Sequence, residues 1–268
     1  MLNQIIHGDC LEEMKHIPDK SIDMICCDLP YGSTACKWDV IIPFDKLWEQ
    51  YKRIVKPNAA IILTASQPFT SQLVMSNLEW FKYEWIWDKK RASNFLHANK
   101  MPLKQHENIL LFSKDKTTYN PEMRFGYQPY DKRKYNKRSD KSVYLAVNKI
   151  NRLNSGERFP KSILEISKNW KPQNQIHPTQ KPVALFEYLI KTYSNEGDLI
   201  LDNCCGSGTT AVAAINTNRK YICIEKEKKY FDISCDRINQ PREYSELELE
   251  IKELNKPEFK QLSLFDIA

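Results

Sequence analysis

The 268-residue chain contains no run of about 18 apolar residues, the length a helix needs to cross a bilayer. Its first residues, Met1-Leu2-Asn3-Gln4 and then Ile5-Ile6-His7-Gly8, lack the basic and apolar regions of a secretory signal. The expectation is a soluble protein with no membrane partner that stays in the cytoplasm. Metal-ligand spacing is missing too: none of the eight cysteines are arranged as C-x-x-C, and the adjacent pairs Cys26/Cys27 and Cys204/Cys205 cannot supply a zinc site. No metal is expected. Several cysteines lie inside apolar runs, as in Met24-Ile25-Cys26-Cys27, which favours reduced, buried thiols over a disulfide framework. Glycine is scarce, with only seven residues, so two falling within three positions, Gly206 and Gly208, mark a place where the backbone must turn.

What is present suits a globular chain: 41% hydrophobic and 28% charged residues, enough for one α/β domain with an inserted or appended module. The net charge of +6 is unevenly spread. Residues 113–175 hold 15 Lys and Arg against 6 Asp and Glu, a charge of +9, which leaves the rest of the chain at −3. One region is therefore built to meet a polyanion.

Periodicity organises the remainder. Residues 22–27 read as a buried parallel strand ending at Asp28, 44–55 as a helix, and 60–65 as a second buried strand, after which Gln67-Pro68-Phe69 opens a further helix. Two more strands are predicted at 83–88 and 107–112. From 113 to 175 neither period holds, and the segment is basic and rich in tyrosine. A helix resumes after Pro182. Strand 198–202, helix 208–217, strand 219–224 and helix 228–238 then form a βαβα unit, and 242–254 reads as a charged helix before a tail. The expected divisions are 1–112, 113–175, 176–240 and 241–268.

Two segments carry chemistry. Asp202-Asn203-Cys204-Cys205-Gly206-Ser207-Gly208-Thr209-Thr210 joins a strand to a helix, where tight glycine turns and a helix amino end suit a carboxylate or phosphate. Glu225 ends the next strand, where a carboxylate can accept from both hydroxyls of a ribose. The pair points to a nucleoside-bearing cofactor. A nicotinamide cofactor fits the Gly-x-Gly alone, but the third glycine of that fingerprint is replaced by the Ala211 and Ala214 positions. The second segment is Asp28-Leu29-Pro30-Tyr31-Gly32, directly after a buried strand. An exocyclic amine on a nucleobase is a poor nucleophile because its lone pair is delocalised into the ring. A carboxylate (Asp28) and a backbone carbonyl (Leu29) that accept its N–H bonds localise that pair, and Tyr31 can stack on an extruded base. Alone, the segment also reads as a strand-ending Asp and a Pro-Tyr turn.

With these motifs the chain resembles, across nearly its whole length, the permuted β class of DNA amino-methyltransferases, including phage-type members. Their Asp-Pro-Pro-Tyr motif precedes the target-recognition region, which precedes a cofactor loop of the form Asp-Pro-Phe-x-Gly-Ser-Gly-Thr. The resemblance implies a Rossmann-like α/β fold that uses S-adenosylmethionine, with permuted motif order and an inserted recognition region. It implies catalytic roles for Asp28, Leu29, Pro30 and Tyr31. Gly8-Asp9-Cys10-Leu11 looks like the family segment whose Asp contacts the cofactor adenine. Asp202, Ser207, Gly208 and Thr209 match the methionine-side loop, where Cys204 and Gly206 are also expected at the cofactor, and Lys181, in His177-Pro178-Thr179-Gln180-Lys181-Pro182, matches a lysine near the cofactor. Asp28 and Glu225 complete that set. Thr34 to Asp39 resembles the loop after the catalytic motif, and its Lys37 is expected to contact DNA. Asp at position 28 points to adenine N6, since cytosine-N4 members usually carry Ser there. Two departures stand out: Leu29 replaces the first proline, removing a fixed φ, and Asn203 and Cys204 replace Pro-Phe, removing an aromatic wall. They keep a non-catalytic DNA-binding protein of the same fold in play beside cytosine-N4 methylation.

The resemblance makes 113–175 the target-recognition segment for double-stranded DNA. Its Tyr130-Asp131-Lys132-Arg133-Lys134-Tyr135 suits phosphate contact and stacking, and Lys89, Lys90 and Arg91 add cations beside the catalytic motif. An RNA or protein amide substrate fits this insert less well. Gln261-Leu262-Ser263-Leu264-Phe265 is similar to a bacterial sliding-clamp-binding peptide, in which the Leu264 and Phe265 side chains would fill an apolar groove while Gln261 fixes orientation. A monomer or homodimer is equally compatible with the sequence.

Overall fold

The computed structural model describes residues 2–34, 36–131, 153–167 and 180–239. The chain divides into two units, residues 1–120 with 162–268, and residues 121–161.

The larger unit is built on β1 (Gln4–His7), α1 (Cys10–Glu13), β2 (Ile22–Cys27), α2 (Phe44–Ile54), β3 (Val55–Ala65), α3 (Phe69–Ser76), β4 (Phe81–Ser93) and β5 (Lys104–Phe112). After the second unit, with its short strands β6 (Tyr130–Asp131) and β7 (Leu153–Asn154), the chain returns through β8 (Ile163–Glu165), α4 (Val183–Tyr193), β9 (Leu199–Asp202), α5 (Thr209–Asn216), β10 (Lys220–Glu225) and α6 (Lys228–Ile238). Eight strands form one sheet in the order β1-β10-β9-β2-β3-β5-β4-β8. The first five run parallel, β5 is antiparallel to β3, and β4 is antiparallel to β5. It is a Rossmann-like α/β sheet with an antiparallel hairpin on one side, and its central pair β2/β9 joins segments from the two ends of the sequence.

Alternation along the buried strands explains why helices cover both faces. In β2, Ile25 and Cys27 face one core with Leu47, Tyr51 and Phe69, while Met24 and Cys26 face the other with Leu185, Leu189 and Ala213. The same period-two switch divides Ile61 and Leu63 from Ala60 and Ile62 in β3. The elements read from the sequence within the described residues are present, but β3 and β4 are longer than expected. The short β1, α1 and β8 lack a readable period: Gln4–His7 has four residues, half-buried because it is an edge strand. The 242–254 helix lies outside the described residues. Among the described residues, no helix is long and apolar enough to cross a membrane.

In the smaller unit β6 pairs antiparallel with β7, and Arg124 bridges to Arg158. Both guanidinium groups lie over the Tyr127 ring, at 5.1 and 5.4 Å, and Arg158 also lies 4.7 Å from the Tyr130 ring centre. Gly156 has φ +100°, and a Cβ there would sit 2.4 Å from the Tyr127 carbonyl oxygen, so only glycine closes this turn.

Candidate active site

A cavity of about 880 Å³ opens at the carboxyl ends of the parallel strands, where ligands bind in open α/β sheets. It is lined by Asp28, Leu29, Pro30 and Tyr31, by Lys37 and Lys89, and by every residue expected at the cofactor except Gly208. Gly208 lies behind the wall: its φ is +80°, and a Cβ would meet the Ser234 Cβ at 2.9 Å, so the glycine lets the loop pack against α6.

The carboxylate of Asp28 is the focus of one end. Its Oδ1 accepts from the Tyr31 hydroxyl at 2.7 Å and from the Thr64 hydroxyl, and its Oδ2 accepts from Lys181 Nζ at 2.5 Å. Thr64 reaches it because Cys27 and Leu63 are register partners, so the two chains emerge side by side. Lys181 is buried, and its ammonium also lies 3.5 Å from Glu107, which pairs with Lys89 at 3.3 Å. Burial pulls the Lys181 pKa down, but the Asp28 and Glu107 carboxylates outweigh it and hold the ammonium above its ordinary value. The Tyr31 ring stacks on Phe69 at 5.1 Å, and burial beside Asp28 pushes its phenol well up. Tyr31 therefore serves as a neutral donor to Asp28.

The loop after the motif is shaped by Asp39, whose carboxylate accepts from the backbone N–H groups of Gly32, Ser33 and Thr34 at 2.7 to 2.9 Å. Burial works against its charge, but these donors win and hold its carboxyl below the usual value. Lys37 is exposed on this loop, and Trp38 packs edge-on against Tyr230 at 6.2 Å.

At the other end of the cavity, Glu225 is held from both sides: Oε2 accepts from Gly206 N and Oε1 from Glu227 N, each at 2.8 Å. Burial raises its pKa against these two donors. Asp9 caps α1 through Leu11 N at 3.0 Å and pairs with Lys226 at 3.1 Å. Asp202, fully enclosed, is pushed by burial up to about 6, although Cys204 N donates to it at 3.0 Å and the Thr210 hydroxyl does as well. The positions that depart from Pro-Phe have partners of their own: Asn203 accepts from the Tyr51 hydroxyl at 2.5 Å, and Cys204 receives the Asn203 amide at 3.5 Å. Arg237, from α6, donates to Ser207 and Thr209 at 3.2 to 3.3 Å and pins the loop from outside. Cys10, buried, and Cys204, half-buried, lie against one another and are held protonated.

Of the cations expected at DNA, Lys89 is buried on Glu107, whereas Lys90 and Arg91 are exposed, Lys90 paired with Glu165. Lys132, Arg133, Lys134 and Tyr135, His177 to Thr179, and Gln261, Leu262, Leu264 and Phe265 lie outside the described residues. Thr64, Glu107, Tyr51 and Arg237 are site residues that sequence reasoning passed over, and Asp39 entered it only as the last residue of the loop after the catalytic motif. Glu107 had a usable signal: it precedes an apolar run as Asp28 follows one. In an antiparallel neighbour the start of the strand lies at the edge where the parallel strands end. Among the described residues no group of three or more His, Cys, Asp or Glu is arranged to hold a metal ion.

A family profile described as DNA methylase, of the N6/N4 type, matches residues 22–236. The chain is 29% identical to the type II methyltransferase M.HinfI of Haemophilus influenzae, over 94% of this chain and 73% of that protein. Among solved structures, the M1.HpyAVI–SAM complex superposes with a TM-score of 0.60 at 24% identity, covering 88% of this chain and 99% of that one. The cytosine-N4-specific PvuII DNA methyltransferase superposes at 0.62 and 17% identity, covering 94% and 91%. At these identities the two structures speak for the fold.

Proposed function

This chain belongs to the DNA methylase family of the N6/N4 type, an S-adenosylmethionine-dependent methyltransferase of DNA, and from that premise we propose that it methylates the N6 amine of adenine in duplex DNA. The observation that carries the choice is the Asp28 carboxylate, fixed at the cavity by Lys181, Thr64 and Tyr31. A carboxylate offers about four lone-pair sites, and three are taken by these donors. The fourth is left for an N–H of the target amine, with the Leu29 carbonyl accepting the other.

The residues at the opposite end fit the methyl donor. Glu225, held open-faced by two backbone donors, suits ribose hydroxyls, Asp9 suits the adenine amine, and the loop around Ser207 and Thr209 at the amino end of α5 suits the methionyl carboxylate. Bound there, S-adenosylmethionine supplies an electrophilic methyl on a sulfonium. The chain's own contribution is orientation. Asp28 and Leu29 draw the amine's lone pair out of conjugation, Tyr31 extends its stack on Phe69 to the flipped base, and the Asp39-anchored loop closes one wall. Lys181 holds the Asp28 carboxylate in place. The basic 113–175 stretch serves as the target-recognition segment, with 1–112 and 176–240 as the two halves of the catalytic domain.

Transfer of labelled methyl from S-adenosylmethionine to unmethylated genomic DNA, with identification of the product nucleoside, tests this. N6-methyladenine that disappears in Asp28→Ala is the expected result. N4-methylcytosine would replace adenine by cytosine as target. No transfer by a folded protein that binds DNA would make the chain a non-catalytic member.

A further inference from the structure

The loop between β4 and β5 breaks the usual rule for surfaces. Phe95 is 62% exposed, Leu96 96% and Met101 51%, four large apolar side chains standing in solvent when Leu103 is included. The loop is nevertheless ordered by its own bonds. His97 N donates to the Asn94 carbonyl at 3.0 Å, Ala98 N to Phe95 at 3.1 Å, and Met101 N to His97 at 3.0 Å. Asn94 adopts φ +71° to start this turn, a conformation kept where the surroundings require it. No acidic residue occurs between Asp88 and Glu107, while Arg91, His97 and Lys100 are exposed on the segment that carries the apolar tip, and Lys90 is paired with Glu165. At its base, Ser93 Oγ donates to the Lys104 carbonyl at 3.0 Å, and both residues line the Asp28 cavity.

We propose that the Phe95–Leu96 tip is a wedge that enters the duplex beside the target and fills the space vacated by the extruded base, with the surrounding cations seated on the flanking phosphates. The proposal rests on the DNA-methylating reading. An apolar side chain inserted between base steps offsets lost stacking, and an ordered loop does so without first being organised. The one-sided charge commits the surface to nucleic acid rather than to a second copy of this positively charged chain, and the shared cavity wall sets the tip beside the base's destination.

The test compares wild type with Phe95→Ser/Leu96→Ser on two duplexes from the most tightly bound genomic fragment, one carrying 2-aminopurine in place of the protected adenine to read extrusion and one carrying the natural adenine to read methylation. Brightening of 2-aminopurine reports extrusion whether or not methyl is transferred. The expected result is binding within threefold of wild type, at least a tenfold loss of brightening and of single-turnover methylation, and recovery of both when the target is mispaired. Equal brightening in the two proteins, or a loss of binding with no recovery on the mispair, would overturn the wedge. A change from dimer to monomer in light scattering with extrusion intact would likewise overturn it, assigning the tip to a contact between copies. Methylation by wild type with wedge-independent extrusion would leave the proposed function standing. Wedge-dependent extrusion without any methylation would do the reverse.

Discussion

Replacing Asp202 by Asn should stabilise the protein in a pH-dependent way. Burial lifts this carboxyl from 3.8 to about 6, so at pH 7 the folded state holds an ionised group that it would rather protonate. That displacement corresponds to about 3 kcal/mol at 1.36 kcal/mol per pH unit. The sign follows from proton binding. Between pH 3.8 and 6 the folded state binds more protons than the unfolded chain, so wild-type stability falls as pH rises through this window. Asparagine carries no charge and keeps the geometry. Its oxygen can accept from Cys204 N, and its amide can donate to the Thr210 hydroxyl, which faces the Cys26 carbonyl at 3.4 Å. The variant should gain nearly the whole amount at pH 7, with a melting temperature higher by roughly 6–10 °C, and gain nothing below pH 3.8. Urea unfolding at pH 4, 5, 6 and 7 measures it. A difference between the proteins that is the same at pH 4 and pH 7 would refute the reasoning, because a packing change has no such window.

Lys181→Met removes the ammonium that fixes the Asp28 carboxylate and pairs with Glu107, so kcat for methylation should fall at least about tenfold; an unchanged kcat would show that Asp28 needs no such partner. Tyr51→Phe leaves the buried Asn203 oxygen without its donor and should lower stability by about 1–3 kcal/mol in urea unfolding, with weaker cofactor binding by calorimetry. Neutralising Lys132, Arg133 and Lys134 should weaken DNA binding and flatten the dependence of log K on log salt by about one per lost phosphate contact; an unchanged slope removes them from the interface. Truncation after Lys260 should abolish binding to a bacterial sliding clamp in a pull-down with purified clamp, and absence of binding by the intact chain would dispose of that partner.

The sequence carried the strands with strong apolar runs and the two glycine-bearing or proline-bearing turns, because those are local signals. Asp28 and Glu225 were legible as carboxylates closing buried strands. Thr64 was not, since a threonine inside an apolar run reads as packing until the register sets it beside Asp28. Tyr51 and Arg237 were hidden for the same reason: each sits on an amphipathic helix, and only tertiary packing turns its polar end toward Asn203 or Ser207. Asn203 and Cys204 read as lost features of a family motif, whereas in place they hold partners from α2 and the thiol pair. Lys89 shows the opposite limit, a cation in a basic run whose burial only the β4/β5 pairing decides.

The pairing of β2 with β9, and of β1 with β10, also fixes when the enzyme can exist during its own synthesis. Asp28 leaves the ribosome early, but the strands that complete its sheet and the Lys181 that holds its carboxylate come more than 150 residues later. At about 5–20 residues per second, Glu225 follows Asp28 by roughly 10–40 s. During that interval the apolar β2, paired with β3 on one side, has no β9 on the other. A nascent chain therefore depends on the β3/β5/β4 hairpin, whose contacts are local, to keep those strands from aggregating until the far end of the sequence arrives.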